Sequence, residues 1–456
     1  MDPYQSFLDQ ISCVARTTLN FPRDEPVQIV AHMDSDGLCA AALLCAALDE
    51  HAQSFELHIT ENPGDIPYQK LVGASLVVLC DIGSSSIRKV QQELASTDVV
   101  ILDHHHIDKK PSCPNIFLLN PNVYGIDGGR EICTAGIAYL FVRMIFPGIA
   151  KLSFVPIVGM LGDAQEEKGG KLHYLNSLLV DEARRSGSVS VRRELHLFAL
   201  HSRPLCEALS ARSDVWIADI TGDRQAAVDL VASITDKDAK TVLYGDLDDR
   251  EKKALDLAIR SRKTRGELYG NFYAVLDVDP ASPWADCRQI STILNACGRM
   301  ECARAGIDAL LGHARARERA LEIKDAYRKE LILAMKEARM AREDGEGFVI
   351  INFKDKVRPT VIGTAASMIA KSSETPEGKV IIILGRTDGQ TKVSMRVAGR
   401  PTRGVDLHAM LARIVPPLGG SFGGHTFAAG ALVDKKKEGL FLSALERELG
   451  VLFAQH

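Results

Sequence analysis

The sequence predicts an α/β protein with a mainly parallel sheet in its amino-terminal part, a helical connector, and a smaller α/β domain towards its carboxyl end. Three observations carry this. Short apolar runs alternate with helical segments over the first third of the chain. Two of these runs, SLVVLC at 75–80, apolar after its first residue, and VVIL at 99–102, suit strands covered on both faces. Beyond residue 347, strand-like runs return around a glycine-rich stretch.

At 456 residues the chain exceeds one compact core, and two or three domains are expected. Hydrophobic residues make up 46% and charged residues 25%, the balance of a globular protein. With neither a long apolar span nor a signal-like leader, we expect a cytoplasmic protein with no membrane partner. A formal net charge of -4 gives no global attraction to nucleic acid, so a polyanion would need a local basic surface or metal. The ten cysteines form no CxxC pair, and several lie inside apolar runs, as core residues in a reducing compartment do.

Taken in order, Val27–Ala31 is a strand candidate that ends in His32, Asp34 and Asp36. Alternation along an extended chain sends these three side chains to one side. Asp36 alone is equally explained as the cap of the helix that follows over Leu38–Asp49. The strand at 75–80 ends in Asp81, and the strand at 99–102 runs into Asp103, His104 and His105. A further strand is expected within 117–122, then a helix over Glu131–Phe146 stopped by Pro147. An apolar segment of helical character, Phe154–Leu161, leads to Gly162 and Asp163.

Four successive apolar segments thus hand over an Asp or His, and open α/β sheets keep their sites at strand carboxyl ends. Chemistry that needs so many carboxylates with one or two imidazoles is a pair of divalent cations bridged by a carboxylate. Mixed His and Asp ligands favour Mn²⁺, with Mg²⁺ as the alternative, over a structural Zn²⁺ site. HMDSDG at 32–37, CDIG at 80–83, DHH at 103–105 and GD at 162–163 together resemble the four motifs of the DHH phosphoesterases. The resemblance implies that His32, Asp34 and Asp81 hold one ion and that Asp36, Asp81, His104 and Asp163 hold the other, with Asp81 as the bridge. It also implies catalytic roles for His105, beside the substrate phosphate, and for Asp103, which would orient an imidazole. The first motif has the DxDxDG spacing of RecJ-type nucleases, with His32 in place of the first Asp.

From Lys171 to Arg265 the sequence reads as helical and charged, a connector between domains. Residues 271–276 suit a strand and Arg288–Cys297 a helix. Ala314–Glu343 is expected to be a long charged helix whose single apolar stripe packs on its own domain. Strands are expected at 348–353 and Val380–Leu384. Alternation over Thr391–Val397 places Lys392, Ser394 and Arg396 on one face. The glycine-rich stretch LGGSFGGHTFAAG, 418–430, lets backbone N–H groups turn toward an anion, and His425 can donate to a phosphate. It resembles the phosphate-gripping motif of the domain that accompanies DHH catalytic domains. Substrate contacts are therefore expected from Lys392, Ser394, Arg396, Gly423, Gly424 and His425. The expected domains are a DHH catalytic domain at 1–185, a helical connector at 186–265, and a DHH-associated domain at 266–456 with a helical insertion at about 312–345.

This reading implies hydrolysis of single-stranded DNA or RNA, one nucleotide at a time, in a cleft that admits unpaired backbone. The resemblance extends to the archaeal RecJ-like nucleases of the GINS-associated type. That implies 5′ to 3′ polarity, a place in DNA replication or repair, and GINS and the replicative helicase as partners. A rival with the same chemistry is a phosphodiesterase for short oligoribonucleotides or cyclic dinucleotides. A rival of another class is a replication scaffold with the fold and little or no catalysis; such scaffolds lose metal ligands, and none is missing here.

Overall fold

The computed structural model describes residues 2–19, 24–62, 65–107, 109–211, 215–372, 375–387, 389–400 and 404–453. The chain forms two units, Met1–Ile323 and Lys324–His456.

In the first unit, strands β1 (Val27–His32), β2 (Phe55–Thr60), β3 (Val77–Cys80), β4 (Val99–Leu102) and β5 (Ile116–Leu119) pair in parallel in the order β2-β1-β3-β4-β5. The apolar runs are explained by burial on both faces. Val78, Cys80, Val100 and Leu102 join one core with helices α1 (Pro3–Thr18), α2 (Ser35–Glu50), α3 (Thr134–Val142), α4 (Val155–Gly162) and α5 (Cys287–Arg299). Their neighbours Val77, Leu79, Val99 and Ile101 join a second core beneath Tyr68–Leu71 and Ile87–Glu93. Strand order reverses direction between β1 and β3, so a crevice lies at their carboxyl ends. The helix expected over Glu131–Phe146 is shorter, Thr134–Val142.

The middle stretch is less helical than its charges predict. Strand β6 (Val189–Leu195) pairs antiparallel with β7 (Tyr269–Val275), because VSVRREL alternates with period two beneath its charges. Leu205, Leu209, Val231, Leu255 and Ile259 form a separate apolar cluster in this stretch. The β6–β7 pairing, and the packing of Ile290, Ile293 and Leu294 of α5 in the α2 core, tie residues 269–299 to the first unit. The two units divide after Ile323. Helix α6 (Ala314–Met340) buries Ala320, Ile323, Tyr327, Ala334 and Ala338 along the anticipated stripe.

The second unit holds strands β8 (Arg342–Asp344), β9 (Phe348–Asn352), β10 (Val380–Arg386), β11 (Gln390–Val397), β12 (Ser421–His425) and β13 (Ala428–Asp434), in the order β8-β9-β10-β11-β13-β12. Among these described strands only β9 and β10 pair in parallel. Helices Leu407–Ile414 and Glu438–Phe453 cover one face through Leu411, Phe441 and Leu445, while Ile362–Ala370 lies against the other, where Arg396 Nε donates to Ser367 Oγ. Among the described residues no helix is long and apolar enough to cross a membrane.

Candidate metal centre

Strand alternation does not carry the first motif, because β1 ends at His32. Asp34 is the N-cap of α2, with Oδ1 accepting from Gly37 N–H (3.1 Å), and Asp36 is buried in the first helical turn. The cap is thus Asp34, not Asp36. Both oxygens of Asp36 accept backbone N–H groups at the start of α3, from Thr134 (2.7 Å) and Ala135 (2.8 Å). A helix N-terminus is a natural seat for a carboxylate. Gly159 of α4 is needed there, since a Cβ would come within 2.4 Å of Asp36 Oδ1.

Asp81 follows β3 with φ of 63°, a left-handed backbone uncommon for a residue with a Cβ. Thr134 Oγ1 donates to its Oδ1 (3.1 Å). Its Oδ2 lies 3.1 Å from His32 Nδ1, which is also 3.0 Å from Asp34 Oδ2. Its Oδ1 lies 3.4 Å from His104 Nε2, which is 3.2 Å from Asp163 Oδ2 and 3.9 Å from Asp36 Oδ2. Among the described residues three overlapping donor sets result, His32/Asp34/Asp81, Asp36/His104/Asp163 and Asp81/His104/His105, with Asp81 beside both His32 and His104.

His104 Nδ1 donates to Gly128 O (2.7 Å), which leaves the Nε2 lone pair free to bind a cation. Gln165 Nε2 donates to the same carbonyl (2.9 Å), and Asn176 Nδ2 donates to Gln165 Oε1 (3.0 Å). The half-exposed His105 is held by Asp103, whose Oδ1 accepts from His105 Nδ1 (2.8 Å) and N–H (3.1 Å). Ser84 N–H donates to the other Asp103 oxygen (2.9 Å), and Asn120 Nδ2 donates to His105 O (2.8 Å). His105 Nε2 is then the nitrogen left for a substrate.

Burial and the neighbouring carboxylates push Asp36 and Asp163 upward in pKa. Against the downward pull of burial, Asp81 and Asp163 hold His104 well above its ordinary value. Asp163 Oδ2 is buried and accepts no hydrogen bond. Crowded carboxylates, an orphaned carboxylate oxygen and imidazoles with a nitrogen facing inward are what divalent cations stabilise, so the residues fit such ions.

The sequence offered no signal for several supporting residues. Asn295 of α5 accepts Ser35 N–H (3.0 Å) beside Asp34, and Gly298 lets α5 approach where a Cβ would lie 1.7 Å from Met33 O. Thr134, Gln165, Asn120 and Asn176 were likewise unanticipated.

In the second unit, the glycine-rich stretch is an edge hairpin and not a loop. Register places Arg396, Ala428 and His425 side by side across three strands, and likewise Ser394, Gly430 and Gly423, and Lys392, Leu432 and Ser421. Directly paired residues share a face, so Lys392, Ser394, Arg396, Gly423 and His425 form one patch. Gly424 falls on the opposite face. Ser394 is buried, whereas Gly423 and His425 are exposed.

Residues 26–156 match the DHH family N-terminal domain, and residues 346–450 match the DHHA1 domain. The chain belongs to the DHH family. This DHH protein is 28% identical over 435 residues to an uncharacterised protein of Methanocaldococcus jannaschii, with 93% of each chain covered. Its fold is RecJ-like. The Mn²⁺ complex of RecJ from Thermus thermophilus matches 97% of this chain at 17% identity with a TM-score of 0.58. This chain covers 54% of that RecJ, about half its length. CDC45 from Entamoeba histolytica matches 97% of this chain and 98% of its own at 11% identity, with a TM-score of 0.63. DHH family membership and these clusters support a metal-dependent hydrolase.

Proposed function

We propose that this protein is a two-ion phosphodiesterase that removes nucleotides one at a time from single-stranded nucleic acid, with 5′ to 3′ polarity. The observation that carries the reading is Asp81 reaching both His32, beside Asp34, and His104, beside Asp36 and Asp163. His32 and Asp34 would hold one ion with it, and Asp36, His104 and Asp163 the other. The RecJ complex with Mn²⁺ supports Mn²⁺ here, with Mg²⁺ as its substitute. Bound divalent ions supply Lewis acidity, lowering the pKa of water and offsetting charge on the phosphoryl oxygens.

The chain's own residues do the rest. His105, oriented by Asp103, places an Nε2 donor beside the reacting phosphate. His104 is kept in one tautomer by Gly128 O. Lys392, Ser394, Arg396, Gly423 and His425, which share one face, supply contacts to the strand backbone. The outward N–H groups of β12, at the sheet edge, add donors that need no side chain. A setting in DNA replication or repair, with GINS and the replicative helicase as partners, belongs to the same proposal and rests on the motif resemblance; the likeness to CDC45 is one of fold.

The test is degradation of end-labelled single strands, DNA and RNA, with Mn²⁺, Mg²⁺ or EDTA. Metal-dependent loss of nucleotides from the 5′ end by the wild type, absent from Asp81→Ala, is expected. Cleavage of dinucleotides alone would favour the short-oligonucleotide rival. No cleavage of any substrate would favour the scaffold.

A further inference from the structure

A cavity of about 290 Å³ opens beside the metal centre, lined throughout by residues of the first unit. Its wall includes Gly162, which immediately precedes Asp163, and Asn295, which anchors the Ser35 N–H next to Asp34. Asp163 is thus one residue from this wall, and Asp34 one hydrogen bond and one residue from it.

The rest of the wall is aromatic on one part and polar on another. Phe198 and Phe272 line it, with His196. The Phe272 ring lies 4.4 Å from the His201 ring and 5.3 Å from the Arg192 guanidinium, and His201 is fixed by Glu194 (2.6 Å). Arg203 sits 5.6 Å from the Phe198 ring. Such clamped rings lose little freedom when a flat ligand stacks on them. On the polar part, Asn295 has committed its Oδ1 to Ser35, so its amide N–H groups remain as donors. Arg288 is ion-paired with Glu166, which makes this a poor site for a bare anion. A volume near the lower end of ligand pockets, about 300 Å³, holds one nucleoside and not a run of strand.

We propose that this cavity binds the nucleoside of the nucleotide that the metal centre removes, through base stacking with edge donors from Asn295. The proposal rests on the phosphodiesterase reading above. Because every base has a π face, such a site would accept any base.

Thr292 is exposed on α5 and lines the cavity, with its Oγ1 donating to Arg288 O (3.0 Å). Thr292→Trp would therefore fill the cavity without entering the core. The test is calorimetric titration of the full chain in EDTA with a nucleoside 5′-monophosphate and, separately, with ribose 5-phosphate. Wild type should bind the nucleotide about five- to a hundredfold more tightly than the sugar phosphate. Thr292→Trp should lose that difference, with circular dichroism unchanged. Equal affinities in the wild type, or a difference that survives in folded Thr292→Trp, would overturn the assignment. Strand cleavage by wild type with Mn²⁺ is measured alongside. Base-dependent binding without any cleavage would keep a nucleoside site but overturn its assignment to a departing nucleotide, and would separate that failure from failure of the cavity.

Discussion

Each unit buries carboxylates, and the two solve the cost of doing so in opposite ways. Glu438 of the second unit accepts from Arg386 Nε and Nη2 (both 2.9 Å), Thr391 Oγ1 (2.6 Å) and Asn352 Nδ2 (3.0 Å). The Arg386 hydrogen bonds, with Thr391 and Asn352, hold it down at about 2 despite burial. Asp36 and Asp163 of the first unit meet other carboxylates, and burial with that repulsion pushes them up. The second unit carries its counter-charge in the chain; the first requires it from outside. A buried acid that the chain itself satisfies is structural, and a cluster that it leaves unsatisfied is a site.

The largest expected effects break the first half of that contrast. Asp81→Ala removes the donor that reaches both His32 and His104, so strand hydrolysis should fall more than about a hundredfold, as loss of several kcal/mol of metal assistance requires. Far-ultraviolet circular dichroism should show the variant folded; retained activity would sink the two-ion assignment. Mn²⁺ at a hundredfold excess over its dissociation constant should stabilise the first unit of the wild type by about 2.7 kcal/mol per site, read as a rise in Tm. The second unit should not respond.

Next comes the second half. Glu438 has its pKa lowered on folding from 4.5 to about 2, so its contribution is present above pH 4.5 and is lost as the pH falls towards about 2. Discounted for solvent screening, that contribution is about 1–2 kcal/mol at neutral pH. Glu438→Gln should destabilise the second unit by a similar amount at pH 7 and flatten its acid unfolding between those limits. Denaturant melts at pH 7 and pH 3 check this, and equal losses at both would show that the ion pair is not the cause.

The acids of the centre were legible because each follows an apolar run, a pattern that one stretch of sequence displays whole. What orients them was not. Gln165 and His104 meet at Gly128 O, and Ser35 and Asn295 are 260 residues apart, so their pairing exists only once the sheet and α5 have packed. Strand β6 was hidden because Arg192, Arg193 and Glu194 read as a helical charge pattern, while its pairing with β7 lies outside any local window. The hairpin at 421–434 is not fixed by its local sequence, since its glycines suit a loop and paired strands equally until the register is known. The boundary after Ile323 was hidden likewise, as the periodicity of α6 is continuous across it.

A smaller effect tests such orientation directly. Gln165→Ala leaves every metal donor in place but removes one of the two donors on Gly128 O and the Asn176 contact. Loss of a residue that orients a ligand costs about ten- to a hundredfold in metal affinity or activity. If the loss is through His104, excess Mn²⁺ should restore most of the activity; an unrestored loss would place Gln165 in the reaction itself.

The smallest effect should come from the patch of the second unit. Arg396 donates to Ser367 Oγ (3.1 Å) of the helix Ile362–Ala370 and to Met395 O (2.8 Å) of its own strand, so the chain already holds it in place, and it needs no ion to become functional. A contact to a strand phosphate is worth little at physiological salt because counter-ions screen it. Arg396→Ala should therefore raise KM for a long single strand several-fold, with kcat nearly unchanged. The slope of log affinity against log salt should become shallower by about 0.7, the value for one phosphate contact on a single strand. A fall in kcat with unchanged salt slope would mean that Arg396 acts on the reacting group. The patch would then belong with the metal centre in function, and the division between a site that needs an ion and a surface that needs only its own charges would fail.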